Sequence, residues 1–310
     1  MASSVGRRIA RWSLVLATTA CAADRAAAPV DADPAPSRDA STATTDARVR
    51  ADAPTEAPRA TADARAPDAA AGDARACATL ALCDDFEGAA AGGPPDPSRW
   101  TVGAPDVTGT GTLAVDDTQH HSGARAVKVV GEGGYSNHIF FTNSAVIAAL
   151  GPVVWARFYV RLSDALGDGH VTFLAMKDAE SGADGGKHLR MGGQAKILMW
   201  NRESDDATLP ALSPAGIALS EPLPTNQWLC LELMVDGGAG VLRTWVDGVA
   251  LAGLQVDATP TPDVDEQWLR DAAWHPALTD FGLGWESYAG QAMTLWFDDV
   301  ALDAARIGCF

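Results

Sequence analysis

Residues 187–204 read KHLRMGGQAKILMWNRES, a cationic stretch inside an acidic chain. His188 and Arg190 stand two apart, so on a β-strand both side chains leave the same face. Gly192-Gly193 is the predicted turn, after which Gln194, Lys196, Leu198 and Trp200 share one face of a returning strand. An imidazole, a guanidinium fork, an amide, an ammonium and an indole then look out from one patch of sheet. Such a set suits a sugar that carries a carboxylate; the plain alternative is a solvated hairpin with ordinary surface charges.

The rest of the chain frames that patch. Residues 22–76 are built almost entirely from Ala, Pro, Asp, Arg, Thr and Ser, too little apolar surface to offset the entropy of ordering, and read as a disordered linker. From Cys77 onward there are 13 Lys/Arg against 30 Asp/Glu, so the whole formal charge of −17 belongs to residues 77–310, the expected folded domain. An acidic domain lacks the basic footprint that nucleic acid requires, and no such partner is expected. Lys177, Lys187, Arg190, Lys196 and Arg202 nevertheless concentrate five of those 13 cations within 26 residues. The chain is expected to act as a monomer.

At the N-terminus, Arg7, Arg8 and Arg11 precede a short apolar run from Trp12 to Ala20, followed by Cys21. The run is too short to span a bilayer and reads as a signal peptide over residues 1–21. Thr18-Thr19-Ala20-Cys21 is similar to a lipoprotein cleavage site, with Thr18 where Leu is usual. A lipid on Cys21 would leave the linker as a leash, making membrane contact through that anchor alone and placing the protein at the bacterial envelope or cell surface; otherwise it is secreted. Cys77, Cys83, Cys230 and Cys309 remain, and in an exported chain imply two disulfides with three pairings open.

Strands are expected at 83–87, 124–130, 153–162, 170–177, 228–235, 241–246, 249–254, 280–288 and 293–302, with tight turns at Gly237-Gly238 and Asp247-Gly248. Short helices are expected at 143–150 and 266–274. Many short strands with turn signals between them predict an all-β antiparallel sandwich of jelly-roll type, concanavalin-like.

CDDFEG, HHSGARAVKV, WARFYV, HLRMGGQAKI, GWESY and WFDDVAL, in that order over residues 83–309, together resemble the cellulose-induced secreted protein family, the Cip-type core domain. That family is related in fold to glucuronan lyases of polysaccharide lyase family 20. The resemblance implies a jelly roll with a bound structural calcium ion. It also implies a concave cleft bearing a His-x-Arg-x-x-x-Gln pattern, matched by His188, Arg190 and Gln194. Lyases of this kind cleave by β-elimination beside a uronate carboxylate, whose charge a cation must neutralise before the adjacent carbon acid ionises. Arg190 is the candidate fork, with Gln194 or Lys196 as further donors. His188 is a candidate proton-transfer group, and Tyr288 its candidate partner. Lys177, Lys196, Trp200 and Trp285 are candidate substrate contacts, His138 and His170 are further cleft candidates with a structural role as the alternative, and the expected partner is a uronic-acid-containing polysaccharide.

For calcium the family pattern draws ligands from the first strand, the loop after it and the last strand. Glu87, backbone oxygens near Gln119 and Ser122, and either Asp298 or Asp299 fit, only one of the two aspartates if the strand alternates regularly. Three other functions compete, one of them a structural surface lipoprotein whose cleft has lost activity. A glycan-binding module would stack sugars on Trp200, Trp285 or Trp274. A glycosidase would need two spaced carboxylates, for which Glu203, Glu232 and Glu286 are available, but the Glu-x-Asp-x-x-Glu strand pattern of sandwich hydrolases is absent.

Overall fold

The computed structural model describes residues 75–103, 111–134, 138–182, 186–270 and 273–310. The expected signal peptide, Cys21 and nearly all of the expected linker lie outside these residues. The last of that linker does not behave as one: the Arg75 amide donates to the Ile307 carbonyl, and its guanidinium pairs with Asp303.

In chain order the strands are β1 (Leu82–Asp84), β2 (Thr101–Gly103), β3 (Thr112–Asp116), β4 (Ala126–Gly131) and β5 (Ile139–Asn143). Then come β6 (Val153–Leu162), β7 (Val171–Asp178), β8 (Lys187–Gln194), β9 (Ile197–Arg202) and β10 (Ala207–Leu209). The series closes with β11 (Trp228–Asp236), β12 (Val241–Val246), β13 (Val249–Val256), β14 (Phe281–Ser287) and β15 (Met293–Asp303). One sheet runs β13-β12-β11-β6-β15-β4-β3, with β1 also on β15; the other runs β10-β9-β8-β7-β14-β5-β2. Every pairing is antiparallel, giving the expected jelly-roll sandwich.

Alternation explains the two layers. Along β6, Val154, Ala156, Phe158, Val160 and Leu162 are buried in the core, and on the facing sheet Leu189, Met191, Phe281, Leu283 and Trp285 meet them. Phe158 lies 6.5 Å from Phe173 and 6.1 Å from Phe297, tilted or edge-on as aromatic quadrupoles prefer. Burying each such ring contributes about 2–3 kcal/mol. On the outer face of β6, Arg157 and Tyr159 are covered by the C-terminal segment. There the Cys230–Cys309 disulfide, the Tyr159 hydroxyl bonded to Phe310 and the Glu232 carboxylate accepting from Ile307 and Gly308 hold residues 307–310 in place. The second bridge, Cys77–Cys83, ties a 3₁₀ turn to β1.

Three local expectations differ from the structure. Residues 266–269 form turns rather than a helix; around them Asp265 accepts from the backbone of Asp257 and Thr261, an alternative to helical bonding. By contrast, a helix spans Ala145–Leu150 within the region expected to hold one. The hairpin at 187–202 turns at Ala195-Lys196, both with positive φ (52° and 67°), not at Gly192-Gly193. Those glycines are strand residues that permit close approach: a Cβ on Gly192 would stand 2.0 Å from the Val171 carbonyl oxygen, and one on Gly193 2.8 Å from Leu166. Finally, β2, β3, β5 and β10, short or flanked by glycine, were not anticipated.

Gly192→Ala therefore drives a methyl group into backbone. Chemical denaturation should show a loss of about 3 kcal/mol, at the upper end for overpacking.

Candidate functional site

Antiparallel partners share a face, so the register decides which side chains meet. On the face of the second sheet turned away from the core, one row runs Asn201, Arg190, Ala175, Gly282, Thr142, Thr101. Small residues at its middle hollow the sheet. Thr101, Gly103, Phe140, Thr142, Ala175, His188 and Asp280 line the resulting groove of about 240 Å³. The adjacent row sets Met199, Gly192, Thr172 and Glu286 side by side, bringing Glu286 next to Arg190.

Arg190 is 8 % exposed, and its guanidinium is met from three sides. Nη2 lies 3.2 Å from a Glu203 oxygen and 3.6 Å from Glu286, while Nη1 donates to the Tyr288 hydroxyl at 3.1 Å. Burial works against the charge, but Glu286, Tyr288 and Glu203 more than compensate and raise its pKa. Glu203 also accepts from the His188 amide and lies 2.9 Å from His188 Nδ1, with Lys187 Nζ at 3.2 Å. Burial alone would raise the Glu203 pKa; the His188 hydrogen bonds and the Arg190 charge instead hold it at about 2. Glu286 responds in the opposite sense: burial pushes its pKa up, with only partial relief from Arg190 and from His138 at 3.6 Å. Beside them the His170 ring stacks on Tyr288 at 5.4 Å; burial and the Arg190 charge depress its pKa to about 4, so it is neutral near pH 7.

This constellation brings together three of the sequence candidates, His188, Arg190 and Tyr288. Lys177 pairs across the strands with His188 and shares its face. Gln194 lies on the same face at the far end of β8, partly exposed. Lys196 sits in the turn, 3.4 Å from Asp168, away from Arg190's row. Trp200 and Trp285 are not on the cleft. Trp200 pairs with Met191 rather than Arg190, is fully buried in the core and donates to Thr244; Trp285 is fully buried on the core side of β14. No tryptophan is among the exposed large hydrophobics of the described residues, which leaves the proposed stacking platform without its indoles. His138 and His170, the further cleft candidates, lie beside Glu286 and Tyr288, and Glu203, Glu286 and Asn201 complete the site. Glu203 could have been found from its place one residue beyond β9, pairing back onto His188; the others depend on strand order.

The calcium candidates converge elsewhere, on the loop before β4. Glu87 Oε1 accepts from the Ala124 and Arg125 amides, Asp298 from the His121 and Ser122 amides, and Asp299 from the Ser122 hydroxyl at 2.8 Å. Both aspartates reach the loop, contrary to the expectation of one. Asp299 has a φ of 47° and the register with β6 shifts between Asp298 and Ala301, a bulge that breaks alternation. Burial and the neighbouring Asp299 carboxylate raise the Asp298 pKa to about 7, against the pull of the loop amides. Hard oxygen donors of this kind suit calcium chemically, although among the described residues no three acidic, His or Cys side chains converge at metal-binding distance.

The profile of the polysaccharide lyase-like family described as the Cip1-like core domain matches residues 85–305. A solved structure of cellulose induced protein Cip1 is 42% identical, with a TM-score of 0.67, over 74% of this chain and all of that one. An endo-beta-1,4-glucuronan lyase from the fungus Trichoderma reesei aligns at 12% identity and a TM-score of 0.47, over 73% of this chain and 96% of that one. Comparison with curated proteins found no match. The chain belongs to the Cip1-like core domain family of polysaccharide lyase-like proteins.

Proposed function

We propose that this protein is an exported polysaccharide lyase that cleaves a uronic-acid-containing glycan by β-elimination in the cleft of the second sheet. The observation that carries the reading is Arg190: a buried guanidinium next to an open groove, between an imidazole that lines it and a phenol. In the reaction Arg190 would bind the uronate carboxylate and neutralise it. A base then removes the proton on the carbon beside the carboxylate, those electrons form the C=C bond, and the glycosidic C–O bond breaks. The departing oxygen takes a proton from an acid. Tyr288 and His188 stand on either side of Arg190 and would divide the base and acid roles. Glu203 orients His188 through Nδ1 and leaves Nε2 for substrate. Lys177 and Gln194, on the same face, would contact neighbouring sugars. The chain would reach its glycan at the cell surface on a lipid at Cys21, or freely secreted.

A calcium ion belongs to the same proposal, held by Asp298, Asp299, Ser122 and Glu87. Its contribution would be structural, neutralising the buried carboxylates between the first and last strands and stabilising the native state by mass action.

Incubation with glucuronan, alginate or pectate should raise the ultraviolet absorbance of the new conjugated double bond. Arg190→Ala should lower that rate about 10³-fold, the loss expected for a principal charge-stabilising group. Absence of the signal on every polymer, with retained pull-down by a glycan, would replace the lyase by a binding module.

Glu203→Gln should cost about 3 kcal/mol at pH 7, because the native carboxylate has a pKa of about 2 against 4.5 unfolded. Its stabilisation is complete above about pH 4.5 and fades as pH falls toward 2, so denaturation curves of variant and parent should converge there. Parallel curves at all pH values would contradict the cluster's electrostatics.

Millimolar calcium should raise the melting temperature of the chelator-treated protein by several degrees, and Asp299→Asn should remove most of that rise. An unchanged melting temperature would dismiss the ion.

A further inference from the structure

Two carboxylates flank Arg190, and they are held very differently. Glu203 accepts from the His188 amide at 2.9 Å, lies 2.9 Å from His188 Nδ1 and has Lys187 Nζ at 3.2 Å. Glu286 is 3 % exposed, and its Oε1 has no hydrogen-bond partner among the described residues. That oxygen lies 3.6 Å from both Arg190 Nη2 and His138 Nδ1, too far for a hydrogen bond to either. The titratable groups facing Glu286 are Arg190 and His188 on β8, Glu203 beyond β9 and His138 before β5. Its neighbour on β7 is the uncharged Thr172. Tyr288, two residues further along its own chain, and His170 stacked on that ring complete the set.

Charge balance decides what a bound uronate does to this cluster. Without a ligand, one buried guanidinium offsets two carboxylates. A uronate on Arg190 brings a third into the same poorly solvated patch, where like charges push one carboxylate toward its neutral form. Against burial, the His188 hydrogen bonds and the Arg190 charge hold Glu203 at about 2, so it stays ionised. Burial has already pushed the Glu286 pKa upward.

We propose that Glu286 takes up one proton from solvent as a uronate docks on Arg190, so that the cleft binds its acidic sugar together with a proton. The inference rests on the uronate reading of the cleft. No covalent bond to the sugar changes; the Glu286 carboxylate becomes a carboxylic acid, and the Arg190 charge is left to the ligand and Glu203. Glu286 acts through Arg190 and is a positioning residue. Proton and uronate are then linked ligands, each raising the other's affinity by the same factor. Uronate affinity should therefore fall as pH rises above the ligand-free pKa of Glu286, by at most tenfold per pH unit for one proton. A neutral sugar brings no charge and should show no such dependence.

The test is an NMR titration of the protein with sodium glucuronate at pH 6 and pH 8, following the backbone amides of His188 and Arg190. Glucuronate supplies the carboxylate but has no glycosidic oxygen to expel, so binding is read without turnover. The dissociation constant should rise about tenfold from pH 6 to pH 8. Glu286→Gln, whose amide imitates the neutral acid, should bind equally at both pH values and about tenfold more tightly than the parent at pH 8. A purely structural Glu286 would instead give a variant that binds less well at both, which would overturn the proposal. Calorimetry of the parent in phosphate and Tris buffers counts the proton without any variant, and binding without net uptake would also overturn it. A pH dependence that persists in Glu286→Gln would overturn it in favour of His138, His170 or His188. No saturable shift at either pH would remove the uronate reading itself, and this inference with it.

Discussion

A guanidinium cannot be removed from water on the face of a β-sheet unless anions arrive with it. Arg190 is that group, and the order of strands around it follows the requirement. β9 runs antiparallel to β8 and ends by returning Glu203 over His188 and Arg190. β7 separates β8 from β14, and its bulge brings Glu286 into Arg190's neighbourhood from two strands away. Tyr288, one residue beyond β14, closes the third side. The two glutamates divide the work unequally. Glu203, held by a cation and by hydrogen bonds, is the fixed negative charge; Glu286, deeper and less well compensated, is the softer one.

The groove beside this cluster is a consequence of side-chain size. Ala175 and Gly282 occupy the row where bulky residues would fill the trough, and Gly284 on the same strand lies so near the Ile139 carbonyl oxygen that a Cβ would stand 2.0 Å away. The opposite face of the same strands carries Phe281, Leu283, Met191 and Leu189 into the core. One backbone thus pins a cationic site to a rigid hydrophobic layer, the arrangement that keeps reactive groups in position without loop ordering.

Much of this was legible in the sequence. The period-two pattern of 153–162, the aromatic strands near the C-terminus and the turns at 237–238 and 247–248 located the long strands, because half-buried strands advertise their inward face. The shared face of His188 and Arg190 followed from spacing alone. What failed depended on pairing. Trp200 looks like a cleft residue until its partner is known to be Met191, and Asp299 looks excluded from the loop until the bulge after Asp298 is seen. Gly192-Gly193 suggested a turn because glycine turns chains, but here it admits a neighbouring backbone, a need that no local pattern records. Glu286 and His170 could not have been matched to Arg190 without the order β8-β7-β14.

The same alternation that sorts core from cleft also sorts two polar surfaces at the ends of β7 and β9. Lys177 and Glu203 belong to one, while Asp178, Arg202 and Ser204 belong to the other. Neighbouring residues on one rigid backbone cannot move independently, since displacing Glu203 also displaces the Arg202–Asp205 pair beside it. The cation cluster needs Glu203 within hydrogen-bond reach of His188, and on the other surface Arg202 packs 5.1 Å from the Trp268 ring. A single strand end satisfies both demands at once. That end is held by the pairing of Arg202 with both Leu189 and Ala207, so its position is set by the sheet rather than by either surface.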